Sequence, residues 1–210
     1  DRSPTPDEQA RMNAYVEQAM KDGAVGFSTG LIYLPGTFAK TEEVVEMARS
    51  AAKYGGVYAS HIRDEGNGVV KAIEEAINIG EQAKMPVEIS HFKIQSRALW
   101  GKTPETIGLV EAARKRGLAV TVDQYAYTAS STSIDVRLPS WAVAGGRAEG
   151  KKRLADPATR KRAADEVKDD LKKRKFKDLT YAYVASYRTN PAFNGKNIKE
   201  IAKIARGKDD

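Results

Sequence analysis

The feature that most constrains this chain is one pattern, repeated: a short apolar run, a polar loop, then an amphipathic helix, from residue 1 to about residue 127. The apolar runs 24–28, 57–61, 86–91 and 119–123 end at Ser28, His61, His91 and Asp123, at intervals of 33, 30 and 32 residues. Helices fill the spaces between them. Thr5-Pro6-Asp7-Glu8 reads as an N-cap, a Pro at N1 and a Glu at N3, opening a helix that runs to about Asp22. Thr41 reads as the cap of a second helix, and further helices are expected over about 68–83 and 103–116. Segments of this length can cross back over a sheet, which implies parallel strands joined by right-handed crossovers. Such spacing suits a (β/α)8 barrel or a doubly wound sheet. An eightfold barrel takes about 250 residues, so a barrel reading makes this chain part of one.

After Tyr127 the pattern changes. Residues 128–135 are small and polar, as in an active-site loop, and a basic helical stretch is expected over about 157–175. Residues 179–186 read as a strand, and 197–206 as a short helix stopped by Gly207. The expected organisation is a partial βα barrel over 1–127, an insertion over 128–188 and a return segment over 189–210.

Composition narrows the classes. With 41% hydrophobic residues and patterning throughout, the chain is not disordered. No apolar stretch approaches the roughly 18 residues of a membrane span. The absence of Cys excludes a disulfide framework and any thiolate metal cluster within these 210 residues, and is silent on compartment. A cytoplasmic location is the expectation. The opening residues lack the apolar core of a signal peptide, and the chain begins at Asp1 rather than Met, as a piece of a longer protein would. Its whole net charge of +7 comes from residues 147–177, which hold 13 basic and 6 acidic side chains. Clustered basic charge is a nucleic-acid footprint. Here Asp165, Glu166, Asp169 and Asp170 are interleaved and Phe176 is the one aromatic, so bases have no stacking platform. A solvated helix is the reading, with no nucleic-acid partner.

The two histidines occupy matching places. His61 and His91 each follow a Ser at the carboxyl end of an expected parallel strand, where ligands and catalysts of such sheets lie. Adjacent strands run about 4.7–4.9 Å apart, so two imidazoles can converge on one ion, and neutral imidazole is a zinc ligand. Arg63 and Lys93 lie close by and could bind a carboxylate; for Arg63 a salt bridge to Asp64 or Glu65 is the equal alternative. Of Tyr125 and Tyr127, one is expected to face the core. Gly26-Phe27-Ser28-Thr29-Gly30 has the spacing of a nucleophile elbow, but Pro35-Gly36 intervenes where a helix should follow. No phosphate-binding loop is present, so no nucleotide cofactor is expected.

Four runs carry a family resemblance: Gly26-Phe27-Ser28-Thr29-Gly30-Leu31-Ile32-Tyr33-Leu34-Pro35-Gly36, Tyr58-Ala59-Ser60-His61-Ile62-Arg63-Asp64-Glu65, Ile89-Ser90-His91-Phe92-Lys93, and Tyr125-Ala126-Tyr127-Thr128-Ala129-Ser130-Ser131-Thr132. In this order and spacing the chain resembles the N-acyl-D-amino-acid deacylases of the amidohydrolase superfamily. The resemblance implies an α/β fold, about strands 4–7 of a (β/α)8 metal-dependent hydrolase barrel with a helical lid over 128–188. It implies His61 and His91 as ligands of one or two zinc ions, and Tyr33, Lys93, Tyr125 and Ser131 at positions associated with the substrate and its carboxylate. The expected activity of the full-length enzyme is hydrolysis of the amide bond of N-acyl-D-amino acids. The alternatives are an amidohydrolase acting on a cyclic amide, or a non-catalytic half-barrel binding module.

The departures are as informative. The family pattern has an H-x-H motif, a Cys ligand and a general-base Asp, and none has a counterpart here. The third metal ligand is therefore expected outside this chain and the Asp beyond residue 210; no catalytic residue is assigned within it. Alone, the chain is expected to be inactive, and its open sheet edges make self-association an expectation.

Overall fold

A computed structural model describes residues 2–207. Asp1 and residues 208–210, the outer ends of the first and third expected segments, lie outside the described residues. The four expected strands form one parallel sheet: β1 (Gly26–Gly30), β2 (Val57–His61), β3 (Val87–Ile89) and β4 (Val120–Val122), side by side in chain order. Helices α1 (Pro6–Lys21), α2 (Thr41–Ala52), α3 (Val69–Ala83) and α4 (Thr103–Lys115) precede the strands in turn. Neighbouring helices pack on one another, α1 on α2, α2 on α3 and α3 on α4.

Strand order separates the two architectures that spacing left open. A doubly wound sheet reverses its order at a switch point so that helices cover both faces. Here the order never reverses, and crossovers of one hand then put every helix on the same face. The result is an arc of a (β/α)8-type barrel. Alternation along the strands follows from it. Tyr58, Ser60, Val87 and Ile89 are buried toward α2 and α3, whereas Val57 on the other face of β2 stays 39% exposed. Val44, Val45, Ala48, Val69, Ile73, Ala76 and Ile77 complete the core from the helix side. α3 crosses β3 closely at Gly80, where a Cβ would stand 2.0 Å from Val87 Cγ2.

The Thr5–Glu8 capping box forms as expected, and Asn197 with Glu200 forms a second at α8 (Ile198–Arg206), which Gly207 ends. Three expectations change. Thr41 does not cap α2; Lys40 holds the cap position, and the Thr41 hydroxyl donates to Glu75 Oε1 at 2.7 Å. His91 lies beyond its strand, which stops at Ile89. Residues 179–186 are no strand: Leu179–Tyr181 is a 3-10 turn, and only an isolated antiparallel bridge, Tyr183 to Asn197, follows. The backbone of this run meets only residues 195–198, through Ala182 and Val184, a pairing too short to make a strand.

Between these parts lie α5 (Ser140–Val143), α6 (Arg147–Ala155) and α7 (Pro157–Lys173), packed in sequence. The basic charge of α7 is partly offset along its own surface by Lys161–Asp165, Arg162–Glu166 and Arg174–Asp170 pairs. No helix among the described residues is long and apolar enough to cross a membrane.

Candidate functional site

β2 delivers His61 directly at its last position, while His91 arrives through a turn. Its backbone sits at φ 41, a left-handed conformation that costs a non-glycine residue about 1–2 kcal/mol. Neighbouring strands bracket that turn: Ser90 N–H donates to Ser60 O at 3.0 Å, Phe92 N–H to Asp123 O at 2.9 Å, and His91 N–H to the Asp123 carboxylate. Asp123 thus holds the turn that aims His91. The two imidazoles meet edge to face with centroids 4.3 Å apart. Burial pushes the His61 pKa below its usual value; the nearby His91 ring and Lys93 act the same way and Glu65 opposes them. The neutral ring that results is the form a metal requires.

A cleft of about 240 Å³ opens above these rings. Tyr33, Lys93, Tyr125 and Ser131 line it together with His61 and His91. The Tyr33 ring lies 4.7 Å from His61, and its hydroxyl is 3.3 Å from Thr132 Oγ1, joining the loop after β1 to residues 128–135. Lys93 Nζ stands 5.4 Å from the Tyr125 ring centroid. Tyr127 is 79% exposed, so neither tyrosine of the pair is a core residue.

Arg63 is not in the cleft. Its Nε and Nη2 donate to the two oxygens of Glu75 at 2.8 Å, and Nη1 and Nη2 donate to the carbonyls of Thr37 and Ala39 at 3.0 Å. The salt-bridge alternative is the one observed, with a partner on α3 rather than Asp64 or Glu65. Ser28 lies within β1, so no strand-to-helix elbow forms there.

Arg137 and Glu65 are among the cleft residues to which the sequence assigned no place in the site. Arg137 enters from the 3-10 turn Ile134–Arg137, donating to Gln95 Oε1 at 2.9 Å. Glu65, 2% exposed, stands between the histidines; His61, Glu65 and His91 offer ligand atoms within 4.8 Å of one another, the only such group among the described residues. Its spacing four residues after His61 was the available signal, but its burial was not readable. Two imidazoles converging beside a polar cleft fit a divalent cation such as zinc.

No protein-family model matches the chain. Over 133 residues it is 44% identical to a D-aminoacylase of Alcaligenes xylosoxydans xylosoxydans, a match covering 63% of this chain and 27% of that protein. Among solved structures, a D-aminoacylase described as defining a novel subset of amidohydrolases superposes with a TM-score of 0.71 at 32% identity, over 99% of this chain and 36% of that one. The N-acyl-D-glutamate deacylase of Bordetella bronchiseptica, complexed with zinc and a phosphonate inhibitor that mimics the tetrahedral intermediate, matches with a TM-score of 0.63 at 33% identity. That match covers 81% of this chain and 42% of the other. The chain therefore spans about a quarter to two fifths of the length of these relatives.

Proposed function

Starting from the kinship in sequence and fold with the N-acyl-D-amino-acid deacylases, we propose that this chain contributes to metal-dependent hydrolysis of the amide bond of N-acyl-D-amino acids. The observation that carries the reading is the convergence of His61 and His91, rings 4.3 Å apart, on a cleft that also gathers Lys93, Tyr125 and Ser131. His61 and His91 hold the metal, for which zinc is our choice. When bound, such an ion supplies Lewis-acid polarisation of a carbonyl and lowers the pKa of its water toward neutrality.

The chain's own residues do the binding and the shielding. Lys93 presents an ammonium to the substrate carboxylate, with the Tyr125 and Ser131 hydroxyls as neutral donors beside it. Tyr33 closes the opposite wall against His61. Residues 128–188 act as a lid that keeps bulk water from the cleft. A third metal ligand and the general base are sought outside these residues, since the H-x-H, Cys and Asp of the family pattern have no counterparts here.

Zinc titration of the chain and of His61→Ala and His91→Ala tests the reading. One ion bound by the chain and lost in both variants supports it. Zinc binding that survives both substitutions removes it.

A further inference from the structure

Glu65 is the buried charge that the proposed chemistry leaves unexplained. Its backbone carbonyl accepts from Gln95 N–H at 2.7 Å and its Oε2 accepts from Gln95 Nε2. Its Oε1 accepts from the Lys93 ammonium and lies 2.8 Å from His91 Nδ1 and 4.0 Å from His61 Nε2. By distance alone Glu65 could be a third ligand. Its partners argue otherwise. Both oxygens are already engaged, and Oε1 holds a cation that would stand against a divalent ion on the same atom. Of the two rings, His91 brings Nδ1 within hydrogen-bond distance of this carboxylate, whereas His61 Nε2 stays 4.0 Å away.

We propose that Glu65 is a positioning residue: it accepts a hydrogen bond from His91 Nδ1–H, fixing the tautomer whose Nε2 lone pair is free for the metal, and it anchors Lys93 at the cleft. A carboxylate behind a ligating imidazole sets ring orientation and raises its basicity. The proposal rests on the reading of His91 as a ligand. Lys93 Nζ, 3.0 Å from the same Nδ1, competes for that nitrogen. A carboxylate can only accept there, whereas the ammonium has Glu65 and the His91 carbonyl, at 3.1 Å, as other acceptors. The hydrogen bond from Nδ1 to Glu65 therefore prevails.

Long-range 15N–1H correlation spectra of the metal-free chain, in mildly alkaline buffer, read the tautomer directly. The expected result is a His91 protonated on Nδ1 in the wild type, and a mixture of tautomers in Glu65→Ala. Zinc titration of Glu65→Gln should still reach the wild-type stoichiometry, with affinity about 10–100-fold lower, the range for an outer-shell partner. A wild-type His91 protonated on Nε2 overturns the proposal without needing a variant to fold. An unchanged tautomer in Glu65→Ala, which removes the acceptor altogether, overturns it as well. Zinc lost from Glu65→Gln as completely as from His91→Ala would make Glu65 a ligand and overturn the positioning role. If zinc binding instead ignores His61→Ala and His91→Ala, the metal reading fails on its own terms, and the tautomer spectra still report on Glu65.

Discussion

Arg63 grips Glu75 with two parallel hydrogen bonds of 2.8 Å, from Nε to one carboxylate oxygen and from Nη2 to the other. The same guanidinium holds the carbonyls of Thr37 and Ala39, so one side chain ties the end of β2, the middle of α3 and the loop before α2. With side chains 28% and 12% exposed, the pair is largely out of water. Arg63→Ala leaves the Glu75 carboxylate without its cation, held by the Thr41 hydroxyl alone, and takes this donor from two carbonyls. We expect a loss of about 2–3 kcal/mol by urea denaturation, with Arg63→Lys recovering little because an ammonium cannot span both oxygens. Zinc stoichiometry should not change. Unaltered stability in Arg63→Ala would count against this account.

The same pair predicts a pH dependence. Burial pushes the Glu75 carboxyl up, but hydrogen bonds from Arg63 and Thr41 outweigh it and leave the pKa below its ordinary value of 4.5. A folded-state pKa that is depressed adds stability above the unfolded value, and that stability is lost as pH falls through the folded one. The stability gap between wild type and Arg63→Ala should therefore be full near neutrality and shrink below about pH 4.3. A gap that stays constant through acid titration would contradict the assignment.

Gly80 and Val87 test the contact of α3 with β3. In an exposed helix, Gly→Ala gains about 1 kcal/mol; here the added Cβ meets Val87 Cγ2. Overpacking should dominate, with Gly80→Ala destabilising by about 1–3 kcal/mol. Val87→Ala in the same chain should give back part of that loss, a coupling visible in a double-mutant cycle.

These sites show which parts of the molecule local pattern can carry. Thr5 with Glu8 and Asn197 with Glu200 place helix starts because both partners of the box lie within four residues. The sheet was readable because each βα unit is local and the units simply follow one another. His61 and His91 could be brought together on paper because equivalent positions on parallel strands are neighbours. Arg63 could not be placed, since its partner sits 12 residues on, across the core on α3. Glu65 was legible as a charge but not as a buried one. Residues 179–186 look like a strand along the chain, but pairing depends on what lies beside them.

Metal binding to the folded chain should stabilise it by linkage. At a free zinc concentration 100 times Kd the gain is about 2.7 kcal/mol, or roughly 5–10 °C in Tm for a chain this size. Thermal melts with and without zinc should show that rise for the wild type and Arg63→Lys, and none for His61→Ala or His91→Ala. A rise of the same size in a histidine variant would place the binding elsewhere.

Arg174, at the end of α7, ties the helical segment to the cleft. Its side chain is 15% exposed, pairs with Asp170 at 2.8 Å and reaches Asp64 at 3.8 Å. Asp64 in turn accepts from the backbone N–H groups of Gly66 and Gly68, at 2.6 and 2.8 Å, and so shapes the turn that carries Glu65. A Cβ on Gly66 would stand 2.4 Å from Arg174 Nη1, so this position must be bare for the guanidinium to dock. Arg97, stacked 5.0 Å from the Phe176 ring, is the second tie at this end of α7. Gly66→Ala and Arg174→Ala should both speed amide exchange in residues 157–173 while leaving β2 and β3 protected, since local opening follows the loss of local contacts. Exchange that rises equally in the sheet would mean that these residues hold the whole domain rather than the helical segment alone.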